Sequence, residues 1–144
     1  MQKITPFLWF DHNAEEAMQF YTSVFKNANI KNVLRQDGKV LTATFELEGQ
    51  EFMVLNAGSQ FKFNEAISFF VKCETQEEVD YYWEKLTADG GEESQCGWLK
   101  DKYGLSWQII PNILGELINH QDPAIAERAM QAMMQMQKID ITKL

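Results

Sequence analysis

One order of elements occurs twice along the chain, and that repetition constrains the fold more than any single motif. Residues 4–10 are a continuous apolar run with β-branched and aromatic members. The run is too short for a helix and is closed by Asp11-His12-Asn13, so it reads as a strand buried on both faces. Asn13 then offers a helix cap with Glu16 three residues on, and Ala14, Ala17, Met18, Tyr21, Val24 and Phe25 recur at helical spacing up to Lys26. Strand patterns follow at 30–35 and 41–48, separated by Asp37-Gly38, and Gly49 turns the chain into a further strand at 52–56. The first half therefore reads β-α-β-β-β.

The second half runs through the same order. Residues 66–73 form another apolar run, Thr75 with Glu78 makes a capping box, and Val79, Tyr82, Trp83 and Leu86 mark the buried stripe of a helix ending at Asp89-Gly90-Gly91. Strands are expected at 94–99 and 105–110 around the turn Asp101-Lys102-Tyr103-Gly104. A shift of 62 residues lays Phe7 on Phe69, Phe20 on Tyr82 and Tyr21 on Trp83, and a shift of 55 lays Phe52 on Trp107 and Met53 on Gln108. The pattern predicts an α+β fold of paired βαβββ modules, module one at 1–57 and module two at 66–111.

After Pro111 the pattern becomes helical through residues 112–138. Ile113, Leu114, Leu117 and Ile118 fit one short helix. Asp122-Pro123 opens a second, whose expected buried face uses Ile125, Ala126, Ala129, Met130, Met133 and Met136. The least regular span is 57–65, between the halves.

Composition narrows the function classes. A formal net charge of -8 would repel a phosphate backbone or an anionic bilayer surface, so neither nucleic acid nor membrane is an expected partner. No stretch reaches the roughly 20 apolar residues of a membrane helix, and residues 1–12 carry no signal-peptide pattern, so a cytoplasmic location is expected. Cys73 and Cys96 form no Cys-x-x-Cys pair and read as reduced thiols.

Few side chains suggest chemistry. His12 and His120 lie in loops beside Asp11 and near Asp122, where a solvated histidine is the simpler reading than a general base. Cys96, expected on a strand before Gly97-Trp98, would line a cavity, but no basic residue adjoins it to activate the thiol. Phe7, Trp9, Phe69, Trp98 and Trp107 would serve equally as core or as an apolar wall for a planar ligand. Gln108, between apolar neighbours on a strand, needs a partner for its amide, from the protein or from a ligand.

Three segments carry a family resemblance: Pro6-Phe7-Leu8-Trp9-Phe10 with Ala14-Glu15-Glu16-Ala17 and Phe20-Tyr21; the run from Gly97 and Trp98 through Asp101 and Gly104 to Trp107 and Gln108; and the Met-rich tail ending Lys138-Ile139-Asp140-Ile141. Together they resemble the PhnB-like branch, labelled 3-demethylubiquinone-9 3-methyltransferase domains, of the glyoxalase/bleomycin-resistance (vicinal oxygen chelate) superfamily. The resemblance implies curved sheets enclosing a cavity and a homodimer. It also implies four ligand positions for a divalent metal, on the first and last strand of each module.

Those positions carry Thr5, Pro6 or Phe7; Met53; Ser68 or Phe69; and Gln108. One amide among thioether, hydroxyl and rings leaves a cation's charge uncompensated, so neither metal nor other cofactor is expected. A methyltransferase of the doubly wound kind would need a Gly-rich strand-to-helix turn, and no Gly-x-Gly occurs. The expectation is a metal-free protein binding a small aromatic or apolar molecule in a cavity lined by Phe7, Trp9, Met53, Phe69, Cys96, Trp98, Trp107 and Gln108. The alternative is an enzyme of the superfamily: a metal-dependent lyase, isomerase or dioxygenase, or a methyltransferase as the family label suggests.

Overall fold

The structure is a computed structural model that describes residues 2–144. It separates into two compact units, one ending at Phe63 and the other spanning Asn64–Leu144.

The first unit runs β1 (Phe7–Phe10), α1 (Ala14–Val24), β2 (Ala28–Gln36), β3 (Lys39–Leu47) and β4 (Gln50–Asn56). Its sheet has the order β1-β4-β3-β2, with β1 and β4 parallel and the other pairs antiparallel. The parallel pair departs from the plain antiparallel meander that the strand patterns suggest, and α1 is the reason. The helix carries the chain back to the end where β1 began, so β2 runs in the direction of β1, and two hairpins then deliver β4 beside β1. Both hairpins turn on acidic-Gly pairs, Asp37-Gly38 and Glu48-Gly49, whose residues all have positive φ, as a type I′ turn demands.

β1 starts at Phe7 rather than Ile4 because Pro6 has no N–H for the ladder. Gln2 extends the pairing instead: its amide donates to Glu51 O at 3.1 Å and accepts from Glu51 N at 3.0 Å. The α1 cap also differs from the expected one. Asn13 makes no side-chain cap bond; Asn56 Oδ1 accepts from Ala14 N at 2.9 Å while Asn56 Nδ2 donates to Val40 O at 3.0 Å. One β4 side chain thus ties the helix start to the sheet. Beneath α1 lie Leu8, Phe10, Phe45, Phe52 and Val54, with Tyr21 stacked on Phe45 at 6.1 Å and Phe45 on Phe52 at 5.3 Å.

The second unit repeats the plan with β5 (Ser68–Cys73), α2 (Gln76–Thr87), β6 (Glu92–Glu93), β7 (Trp98–Lys100) and β8 (Ser106–Pro111) in the order β5-β8-β7-β6, again with one parallel pair, β5 and β8. The Thr75 cap is present, its Oγ1 accepting from Glu78 N at 3.2 Å. The strand expected at 94–99 is broken: residues 94–97 turn, with Cys96 at φ 60° and Gly97 at φ 85°. The backbone groups that would continue the ladder are committed elsewhere, since Cys96 N and Gly97 N donate to Met136 O and Gln137 O, each at 2.8 Å. Gly97 sits at φ 85°, where an L side chain is strained, and a Cβ there would lie 2.6 Å from Ile110 Cδ1 and 3.2 Å from Ile139 Cγ1 in the tail, so this crossing of turn and tail favours glycine.

The C-terminal extension comprises α3 (Asn112–Ile118), α4 (Pro123–Met134) and a last turn at Ile141–Lys143. Ile110, Leu114, Met136 and Ile139 form its core against the end of β8, with Met133 and Ala132 packed alongside. Met136 reaches that core from beyond the helix end, while Met130, expected to be buried, is exposed. Gln76, in the first turn of α2, holds the tail by donating to Ile139 O at 3.0 Å and accepting from Ile141 N at 2.8 Å.

Candidate functional site

Each sheet has one face under its helix and one free of it, and strand alternation assigns every side chain to a face. In the first unit the face away from α1 carries Phe7, Trp9, Met53 and Leu55, in two rows set by the pairs Phe7–Met53 and Trp9–Leu55. Thr44 and Thr42 extend these rows on β3. Phe7 is 49% exposed. Trp9 is held: its Nε1 donates to Gly58 O at 2.8 Å and its ring meets Phe61 edge-on at 4.9 Å. The irregular span after β4 is therefore anchored by rings, Phe63 against Phe10 as well as Phe61 against Trp9. Beyond the apolar rows, Lys31 bridges Glu51 at 3.1 Å and Glu46 at 3.6 Å.

In the second unit the helix side holds Leu99, Trp107, Ile109 and Cys73, all buried. Phe69 belongs to this side, meeting Trp107 edge-on at 5.3 Å. Trp107 is 3% exposed, and its Nε1 donates to Asp101 Oδ2 at 2.9 Å. Asp101 Oδ1 accepts from Tyr103 N at 2.8 Å and Leu105 N at 3.1 Å, so one buried carboxylate organises the whole turn into β8. Phe69 and Trp107, both expected to line a ligand cavity, thus stand on the packed side of the sheet. Cys96 occupies a turn, not a strand. The other thiol, Cys73, has its pKa pushed up to about 12 by burial first and the nearby Glu78 second.

The face away from α2 carries Ser68, Phe70, Trp98, Lys100, Ser106 and Gln108. Phe70 pairs with Gln108, Gln108 with Trp98, Ser68 with Ser106, and Ser106 with Lys100. Gln108 finds the partner its position demanded, donating from Nε2 to Ser68 Oγ at 2.9 Å. Lys100 Nζ meets Glu65 Oε2 at 3.2 Å, and this ion pair holds the Glu65 carboxyl below its usual range.

The repeat aligns differently on strands and helices. Tyr21 and Val24 map onto Trp83 and Leu86 at the shift of 62, but the first strands align at 63, laying Phe7 on Phe70 and Phe10 on Cys73. A slip of one residue exchanges the faces of a strand, which is why Phe69 falls on the packed side. Phe70 is the residue the sequence reading missed. The signal was present: Ser68 and Lys72 flank it at alternate positions, marking the less buried face of Ser-Phe-Phe-Val-Lys-Cys.

The four positions implied for a metal by the resemblance are Phe7, Met53, Phe70 and Gln108 once the register is applied. Two rings, a thioether and a neutral amide do not fit a divalent ion, and among the described residues no group of three or more His, Cys, Asp or Glu is placed to hold one.

Comparison with known proteins agrees with this architecture. No curated protein matches the chain. Among solved structures, the PhnB protein from Bacillus cereus is 43% identical over 76% of this chain and 99% of its own, with a TM-score of 0.72. A glyoxalase-related enzyme from Fulvimarina pelagi (16% identity, 79% of this chain and 91% of its own, TM-score 0.54) has the same fold. So does the fosfomycin resistance protein FosX from Listeria monocytogenes, solved with Mn(II) and sulfate ion (18% identity, 74% and 89%, TM-score 0.54). The family model for 3-demethylubiquinone-9 3-methyltransferase matches residues 2–110, and the chain belongs to that PhnB-like family.

Proposed function

We propose that the protein binds a small, partly aromatic molecule on its helix-free sheet faces and does so without a metal. The observation that carries this reading is the pair of phenyl rings at matching register positions: Phe7 opposite Met53 and Phe70 opposite Gln108, each ring about half exposed. A large aromatic ring left in water keeps the unfavourable free energy of apolar hydration, which a covering ligand relieves. Trp98, beside Gln108, adds a third planar surface. FosX shows that the fold can hold Mn(II), but the donor set of this chain supports ligand contact through rings and one amide.

The methyl transfer named in the family description has less support. Each sheet is mixed, with a single parallel pair, and neither offers the parallel switch point at which doubly wound enzymes hold a nucleotide. The proposal includes a homodimer. Its support is β2, a nine-residue edge strand with Ile30 and Leu34 exposed, a feature that invites pairing. Two free thiols suit the reducing cytoplasm expected for the chain.

The test is a titration of naphthalene-2-methanol into chelator-treated protein, followed by tryptophan fluorescence. Saturable quenching that weakens in Phe70→Ala supports the reading. Quenching that appears only after Mn(II) is added contradicts it.

A further inference from the structure

Ser106 has the one polar side chain on the helix-free face of the second sheet that folding leaves without use. It is 1% exposed, and its Oγ has no hydrogen-bond partner among the described residues. A buried hydroxyl without a partner keeps its full desolvation cost, so such a group marks strain, a bound water or a ligand's place. Its ladder neighbours are Ser68 on one side and Lys100 on the other. The Lys100–Glu65 ion pair joins β7 to the segment entering β5, and β8 lies between those strands, so the pair crosses the sheet at the Ser106 end.

The hydrogen-bonding capacity of this corner is one-sided. Ser68 Oγ already accepts from Gln108 Nε2, which leaves the hydroxyl proton to be given. Ser106 has an O–H to give. Lys100 has three N–H donors and a single salt-bridge partner, Glu65, whose side chain is 63% exposed. Donors gathered around one point fit an anion rich in acceptor atoms. Two residues along β8, about 7 Å away at strand spacing, Gln108 lies between Phe70 and Trp98. That is roughly the span of a carboxylate joined to an aromatic ring system.

We propose that the ligand of the second sheet is an aryl carboxylate. Lys100 leaves Glu65 and, with the Ser106 and Ser68 hydroxyls, donates to the carboxylate; Phe70 and Trp98 take the ring; Gln108 stays fixed as the support of Ser68. Glu65 is then a competing internal anion that occupies Lys100 until the ligand arrives. This assignment rests on the binding reading above and specifies its chemistry.

Three probes of one shape separate the two: 2-naphthoate, neutral naphthalene-2-methanol and 2-naphthylmethylammonium, each titrated into uniformly labelled protein with amide shifts recorded. The expected result is that 2-naphthoate binds at least ten-fold more tightly than the alcohol and that the ammonium compound binds worst. Ser106→Ala and Lys100→Met should bring the naphthoate down to the alcohol, and Glu65→Gln, an exposed change that leaves the fold intact, should tighten it several-fold. If the alcohol shifts the Phe70 and Trp98 amides and 2-naphthoate binds no better, or if Glu65→Gln weakens naphthoate, the carboxylate assignment fails while the binding reading stands. If no probe shifts those amides, both fail.

Discussion

Phe70 stands opposite Gln108 on the helix-free face of the second sheet, in the register that Phe7 and Met53 occupy in the first. The duplicated unit thus presents a ring at the same place twice but pairs it with a thioether in one copy and an amide in the other. Phe70→Ala should remove a half-exposed ring and cost little stability, under about 1 kcal/mol, while reducing affinity for a naphthyl probe at least five-fold. Phe69→Ala, one residue earlier, removes a ring packed on Trp107 and should cost about 3 kcal/mol in urea denaturation. Equal stability losses for the two variants would contradict the facing described.

Asp101 should be the least replaceable polar residue of the second unit. Its carboxylate accepts from two backbone N–H groups and from the Trp107 indole. Asp101→Ala leaves those donors buried without an acceptor and should cost about 3 kcal/mol or more, read as a lowered denaturation midpoint at unchanged slope. A loss below about 1 kcal/mol would mean that water replaces the carboxylate.

Much of this could be read from the chain before any coordinates. The two helices, the Asp37-Gly38 turn, the Thr75 and Asp122 caps and the helical extension rest on local signals, and local chemistry decides them in the structure too. What escaped depended on distant partners. Asn56 caps a helix that begins 42 residues earlier, and the strand before Trp98 breaks because the tail at Met136 and Gln137 takes its N–H groups. The site suffered most from one such effect. Apolar residues at adjacent positions, Phe69 and Phe70, leave the face of β5 undetermined until pairing with β8 sets the register.

The tail is held by charge as well as packing, and its hold should depend on pH. Asp80 Oδ1 meets Lys138 Nζ at 2.8 Å and accepts from Gln76 Nε2 at 3.0 Å; the Lys138 bond first and the Gln76 bond second hold its carboxyl below the usual aspartate range. A carboxyl with a depressed folded value stabilises at pH above its unfolded value and loses that contribution as pH falls through the folded one. The protection factor of the Ile141 amide, whose N–H Gln76 holds, should therefore fall as the pH drops below the ordinary aspartate range. Lys138→Ala should raise the Asp80 midpoint, measured by carboxyl carbon shifts. A midpoint that does not move in that variant would assign the depression to another group.

Cys73 should be inert in the folded protein. Burial pushes its thiol up to about 12, so almost no thiolate exists at pH 8. Iodoacetamide at that pH should leave Cys73 unmodified by peptide mass spectrometry until denaturant is added. Labelling of the native chain at Cys73 would mean that the core beneath α2 opens readily.

The central claim is that the helix-free sheet faces, marked by the Phe7–Met53 pair in the first unit and the Phe70–Gln108 pair in the second, bind a small aromatic molecule without metal. Its most direct test is an amide-shift map of chelator-treated protein titrated with naphthalene-2-methanol. The account predicts saturable shifts concentrated at Phe7, Met53, Phe70, Trp98 and Gln108, unchanged when Mn(II) is added. Shifts confined to other surfaces, or dependent on Mn(II), would contradict it.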